Sequence, residues 1–261
     1  MRFLVSPWTW LITLAVLLVI LEPGPLELTL GGKSLDIWVQ DQFYDFTTGK
    51  WCVDKDNSLG KLFFYNGPKV FVIIPIGVML GILFVFPRKV LVKRGWGNRW
   101  FANKRALGLC IAAMIIIPLS CNKTKSISNV YCPYDITRYG GHAPYIRVFE
   151  EYPEDFAKHQ QEKKEQGAGF PAGHASGGFA LMCLAMLART RRWQIGLVCV
   201  GTALGWWMGG YQMLRGAHYL SHTLVTWVVA AIVITILAKF LPKRIAPCCE
   251  NKVNSAETPA I

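Results

Sequence analysis

The chain has 261 residues, of which 52% are hydrophobic, with a mean hydropathy of +0.31 and a formal net charge of +12. That composition is too apolar for an ordinary soluble domain and far too apolar for a disordered chain, and it reads as a membrane protein. The basic residues flank apolar runs instead of studding a soluble surface with aromatics, so the charge argues for membrane topology and against a nucleic-acid partner.

A helix needs about 20 mostly apolar residues to cross a bilayer. Six stretches approach that length: Leu4 to Leu21, Val70 to Phe86, Ala106 to Leu119, Ala172 to Ala188, Ile195 to Tyr211 and His218 to Leu237. The third is the shortest. The expected fold is all-α, a polytopic bundle of about six transmembrane helices over residues 1–241. Residues 242–261, which include the polar run CCENKVNSAETPAI, are expected to form a disordered tail. No internal repeat is visible.

In chain order, Arg2 before the first apolar run also fits a cleaved signal peptide, but Leu21-Glu22-Pro23 lacks a small-residue cleavage pattern. The segment DIWVQDQFYDFTTGKW that follows suits either a short helix lying at the interface or a plain connector. Between the second and third stretches lie Arg88, Lys89, Lys93, Arg94, Arg99, Lys104 and Arg105, with no acidic residue among them. Arg189, Arg191 and Arg192 separate the fourth from the fifth, and Lys239, Lys243 and Arg244 follow the sixth. An excess of Lys and Arg marks cytoplasmic loops. Both termini are therefore expected inside, with loops 22–69 and 121–171 outside.

The second outer loop contains RYGGHAP and the charge run KHQQEKKEQ, and loops of this length are usually functional or disordered. Cys52, Cys121 and Cys132 fall in outer loops where oxidation is open to them, whereas Cys248 and Cys249 fall in the inner tail. A Cys121–Cys132 bridge is compatible with this layout and not required by it.

All five histidines, His142, His159, His174, His218 and His222, fall in the second outer loop or at the outer end of an apolar stretch. Histidine titrates near neutral pH and serves as nucleophile or proton donor, so the one-sided placement points to a reaction centre at the outer interface. Some of it needs no more than the preference of histidine for polar loops.

Three segments hold the candidate chemistry. In GFPAGHASGG, Pro171 precedes a predicted helix whose opening turn holds Gly173 and His174. Free backbone N–H groups there make a phosphate cradle, and glycine lets an oxyanion approach the backbone. In RGAHYLSH, His218 and His222 stand four residues apart, one helical turn on one face. That pair is compatible with a metal, but no acidic residue lies within HYLSH and no H-E-x-x-H pattern occurs, so no metal or other cofactor is expected. Arg215 just before them suits bidentate phosphate contact or a snorkelling anchor. In KSISNVYCPYD, Lys125 brings a positive charge near the outer surface and Pro133 sets a turn.

Read in order, these segments resemble the type 2 phosphatidic acid phosphatase family, whose signature is K-x6-R-P, then P-S-G-H, then S-R-x5-H-x3-D. Lys125 and Pro133 fall on the first motif, with Cys132 in place of its arginine. Pro171, Gly173 and His174 match the second, with Ala172 in place of serine. His218 matches the histidine of the third, while Tyr211, Gln212 and His222 stand in place of its serine, arginine and aspartate. The resemblance covers roughly Lys125 to His222 and implies that His218 attacks phosphorus to form a phosphohistidine while His174 protonates the departing oxygen. Lys125 and the backbone at Gly173 and His174 would then stabilise charge on the equatorial oxygens, without a metal. His222 would orient His218 in place of the aspartate, with Asp135 another stand-in, and Arg215 and Arg138 would replace the two arginines.

The resemblance further implies a phosphorylated lipid as substrate, a bacterial inner membrane as location and an active site facing the periplasm. Lipid A sugar phosphates, undecaprenyl diphosphate and phosphatidylglycerol phosphate are the candidate substrates. Two alternatives accompany the hydrolase: a lipid-to-lipid phosphotransferase, and a degenerate site that binds a phosphorylated headgroup without turnover. Oligomeric state is not legible in the sequence.

Overall fold

The structure is a computed structural model that describes residues 6–21, 32–54, 58–84, 104–148, 150–188 and 190–241. The basic loop from Arg88 to Arg99, the start of the first apolar stretch at Leu4, Phe86, Arg189 and the tail 242–261 lie outside the described residues.

The chain is mostly helical, as its apolar runs require. Helix α1 spans Pro7–Leu21 and α2 spans Leu35–Asp41, followed by a two-residue hairpin of β1 (Tyr44–Asp45) and β2 (Lys50–Trp51), paired antiparallel. A π-helical turn over Lys61–Asn66 leads into α3 (Gly67–Phe84), and α4 spans Lys104–Ser128. Two 3-10 turns, Pro133–Asp135 and Thr137–Tyr139, precede α5 (Glu154–Lys163). Helix α6 (Gly173–Ala180) tightens into a 3-10 segment over Leu181–Met186. Then come α7 (Arg191–Leu214) and α8 (Leu220–Ala238). Thr190 caps α7 by accepting from the Trp193 N–H, satisfying a donor with no intrahelical partner.

Helix α6 sits at the centre, packed against α4, α7 and α8. Leu107, Cys110 and Ile117 of α4, Phe179 of α6, and Ala230 of α8 are fully buried in one core. The α6–α7 contact is backbone to backbone: a Cβ at Gly178 would stand 2.6 Å from the Gly205 nitrogen. Small residues permit that approach, as they do where helices pack without bulky intervening side chains.

Among the described residues two helices, the one beginning at Lys104 and Leu220–Ala238, are long and apolar enough to cross a membrane. Pro7–Leu17, Lys69–Phe84 and Gly173–Met186 are shorter apolar helices. Helix α7 has the length, at 24 residues, but Arg191, Arg192, Gln194, Thr202 and Gln212 dilute its apolar character. Helix α4 also runs nine residues beyond the predicted end at Leu119, so Lys125 lies in its last turn and not in a loop.

A second core closes one end of the bundle. Ile37, Tyr131, Ile136, Tyr139, Ala143 and Tyr219 are buried together, with Tyr44 and Trp51 packed on them. The DIWVQD segment is thus a helix docked onto the bundle, with Asp36, Ile37 and Gln40 buried. Cys121 and Cys132 are both buried and neither is in a disulfide, so the bridge between them is not formed.

Candidate active site

Each of the three motif segments is placed by local structure. Lys125 projects from the final turn of α4. The chain then returns along 167–170, pinned to the end of α4 by Ser128 Oγ to the Phe170 carbonyl (2.8 Å), Gly167 N to Asn129 Oδ1 (2.7 Å) and Gly169 N to the Val130 carbonyl (2.7 Å). Ala172 is fully buried and donates its N–H to Thr226 Oγ1 at 2.9 Å, which ties the start of α6 to α8. No side chain caps α6, since alanine occupies the N-cap position. Its first-turn N–H groups have no carbonyl of the preceding turn to bond, and that end of the helix favours an anion.

Gly173 opens α6 directly beneath Lys125: a Cβ there would lie 3.3 Å from Lys125 Cε and 3.5 Å from Nζ. The lysine side-chain end thus rests in near van der Waals reach of the helix start. His174 follows on the same turn, and its ring centroid stands 6.2 Å from that of His218. Lys125, Asp135, His174, Gln212 and His218 share the wall of one cavity of about 400 Å³. The separation suits a single phosphoryl group: an attack distance of about 3–3.5 Å on one side and a hydrogen bond of roughly 2.8 Å on the other bridge two rings so placed.

His218 does not share a helix face with His222 as their spacing predicted. Helix α8 begins only at Leu220, with Tyr219 extended (φ −82°, ψ 167°) and Gly216 at φ +71°, so His218 sits in the turn before the helix. The rings nevertheless remain neighbours at 5.7 Å. His222 is 1% exposed, enclosed by Phe170 at 5.3 Å and Tyr219 at 5.0 Å, and it stands behind His218 instead of on the cavity wall.

The two proposed arginine replacements part company. Arg215 is half-buried beside the site, its guanidinium 5.9 Å over the Tyr211 ring, and its Nε has no hydrogen-bond partner among the described residues. Arg138 is committed elsewhere: Nε and Nη2 both donate to Asp41 at 2.8 Å. It is absent from the cavity wall because the aspartate of α2 has taken its fork. Asp135 does line the cavity, accepting from the Cys132 N–H at 3.4 Å. Of the other histidines, His142 is on the cavity wall, 3.7 Å from Glu165, while His159 is exposed on α5.

The sequence pattern missed Asp36. The residue is 8% exposed and its carboxylate meets Ser221, which lies between His218 and His222 in the chain. Burial pushes its pKa up to about 6, against the lowering effect of the Ser221 side-chain and backbone hydrogen bonds. The available signal was the spacing of Asp36 and Gln40, which places two polar side chains on one face of a short helix.

A helical protein that gathers a lysine, an uncapped helix start and two histidines around one cavity has the parts of a phosphate-handling site. The profile described as PAP2 superfamily matches residues 105–246, and the chain belongs to that superfamily, as a member of the type 2 phosphatidic acid phosphatases. Membership supports a phosphatase-type activity on phosphorylated substrates. No curated protein and no solved structure matches the chain.

Proposed function

We propose that the protein is an integral membrane phosphatase that removes phosphate from a phosphorylated lipid through a phosphohistidine on His218. The observation that carries the proposal is the pair of histidine rings 6.2 Å apart, brought from the first turn of α6 and the turn before α8 onto a cavity that Lys125 also lines. A ring nitrogen of His218 forms a bond to phosphorus as the phosphorus–oxygen bond to the lipid breaks, and His174 gives its proton to the departing oxygen. Water then attacks the phosphohistidine, His174 recovers a proton from it, and inorganic phosphate leaves with His218 restored. Lys125 and the first-turn N–H groups of α6 face the negative charge on the transferring oxygens. Arg215 supplies a second cation from beside the site, and His222 buttresses the His218 ring.

Membrane integration is favoured by the two long apolar helices and by the distribution of side chains. Ile12, Phe71, Ile73, Ile115, Val200 and Trp207 point outward from α1, α3, α4 and α7, while Gln212, His218, His222, Thr223 and Thr226 are buried. Apolar outside with polar inside suits helices in lipid, and an apolar face of that extent needs a partner in water. On this basis six helical stretches, α1, α3, α4, α6 with its 3-10 extension to Met186, α7 and α8, cross a bacterial inner membrane. Both termini face the cytoplasm and the site faces the periplasm, as the placement of Lys and Arg favours. Acyl chains enter between helices while the headgroup reaches Lys125, His174 and His218.

The test is phosphate release by purified protein in detergent from lipid A sugar phosphates, undecaprenyl diphosphate and phosphatidylglycerol phosphate, without added metal. Release from at least one, abolished in His218→Ala, is the expected result. Activity that survives in His218→Ala overturns the mechanism. Label that moves onto a second lipid instead of into solution identifies a phosphotransferase.

A further inference from the structure

The turn that carries Arg215 and His218 links α7 to α8, and one distant helix holds both its ends. Gln40 of α2 donates from Nε2 to the Met213 carbonyl at 2.7 Å. The Asp36 carboxylate accepts from the Ser221 N–H at 2.8 Å and forms a short hydrogen bond with the Ser221 hydroxyl. Asp36 and Gln40 stand four residues apart on the buried face of α2, and Gln40 is wholly inaccessible. Their partners are groups at the two helix ends: a last-turn carbonyl of α7, which also accepts from the backbone N–H groups that close the helix, and a first-turn N–H of α8 that has no carbonyl of a preceding turn. Helix α8 has no side-chain cap of its own, because Tyr219 occupies that position. Asp36 serves it from 185 residues away.

The rest of the first outer loop reinforces the same turn. Val53 N donates to the Leu214 carbonyl at 3.3 Å, and the Trp51 ring lies against Gly216, leaving no room for a side chain there. From the other side, Tyr134 N donates to the Gly216 carbonyl at 2.9 Å. Tyr219 packs on Tyr145, ring to ring at 5.6 Å, and the Tyr145 hydroxyl pairs with Ser34, the cap of α2, at 2.9 Å. A buried carboxylate is costly to hold unless its hydrogen bonds are all made. This one is spent on the residue between the two histidines and does not line the cavity.

We infer that α2 is a positioning element for the nucleophile: Asp36 and Gln40 clamp the segment from Met213 to Ser221 at both ends and so set His218 against His174. The inference rests on the phosphohistidine mechanism proposed above. It supplies, at one remove and from another part of the chain, the orienting carboxylate absent at position 222.

Rapid-quench trapping of the phosphoenzyme tests it, using wild type, His218→Ala, Asp36→Asn, Asp36→Ala and Gln40→Leu with one lipid phosphate. Asp36→Asn keeps the shape and can still accept from the Ser221 N–H, so it serves as the conservative control, and Gln40→Leu stays informative where Asp36→Ala fails to fold. A clamp predicts that phosphoenzyme forms about 10–100-fold more slowly in Asp36→Ala and Gln40→Leu, as expected for a small misplacement of a reacting group, while Asp36→Asn recovers most of the wild-type rate. The amplitude stays full, and inhibition by inorganic phosphate stays within about twofold of wild type. A reduced amplitude with a wild-type rate means that Asp36 only stabilises the fold, and overturns the inference. Amide hydrogen exchange gives a readout without turnover: Ser221 and His222 lose protection in Asp36→Ala while α8 beyond Val225 keeps it. Unchanged protection at Ser221 also overturns the clamp. If wild type and His218→Ala alike trap no phosphoenzyme, the phosphatase proposal itself falls and takes the positioning role with it. A normal wild-type burst with unaffected rates in Asp36→Ala and Gln40→Leu sinks the inference alone.

Discussion

Replacing Lys125 with methionine removes a charge and leaves the stem that packs over Gly173 largely in place. The ammonium group stands at the opening of α6, 3.5 Å from where a Gly173 Cβ would be, on the wall shared with His174 and His218. For a phosphoryl oxygen placed roughly 4 Å from it, an effective dielectric of about 20 makes the pair worth about 4 kcal/mol. Loss of a single donor to transition-state charge independently costs about 10²–10³ in rate, or roughly 3–4 kcal/mol. The two estimates agree, so Lys125→Met is expected to lose about 10²–10³ in kcat/KM. The assay is phosphate release from a lipid phosphate in detergent micelles, with thermal unfolding checked alongside. Lys125→Arg regains only part of the loss, because a planar guanidinium fits poorly against the Gly173 backbone. A folded Lys125→Met enzyme within about threefold of wild type refutes the placement of this cation at the transferring phosphoryl group.

His174→Ala is expected to slow release from a lipid phosphate by about 10²–10⁴ and from an aryl phosphate far less, since a phenolate departs without a proton; equal losses on both substrates count against a proton donor. Arg138→Ala removes two 2.8 Å bonds to Asp41, which also accepts from Lys33 at 2.8 Å and Tyr139 at 2.9 Å. It should lower stability by about 1 kcal/mol, read from thermal unfolding. Burial raises the Asp41 pKa, but the bonds from Arg138, Lys33 and Tyr139 outweigh it and hold the carboxyl below the usual range. The network therefore contributes above an unfolded pKa of about 4 and fades as pH falls through the lower folded value. Asp36 runs the other way, its pKa raised to about 6, so the folded state favours the protonated acid. Its contribution is complete below about pH 4 and is lost as pH rises through about 6, a span on the order of 3 kcal/mol. Asp36→Asn should flatten unfolding temperature against pH between those limits; an unchanged profile refutes that assignment.

What the sequence alone determined was local. The apolar runs dictated helices, and the motif resemblance singled out Lys125, His174 and His218, three of the residues on the cavity wall, because each motif is a short segment at a helix end. His222 was equally conspicuous in the sequence, yet the break at Gly216 and Tyr219 turns it behind His218. Arg138 read as a spare cation until α2 brought Asp41 to it. Periodicity and spacing report which residues share a face of one element, and they carry no information about which elements meet. Only the tertiary structure could close the 6.2 Å gap between His174 and His218, and only it could carry Asp36 across 185 residues to the turn between the histidines. The physical reason is that unpaired groups at helix ends are satisfied by whatever the fold delivers, and nothing in the local sequence of α7 or α8 names α2 as the supplier.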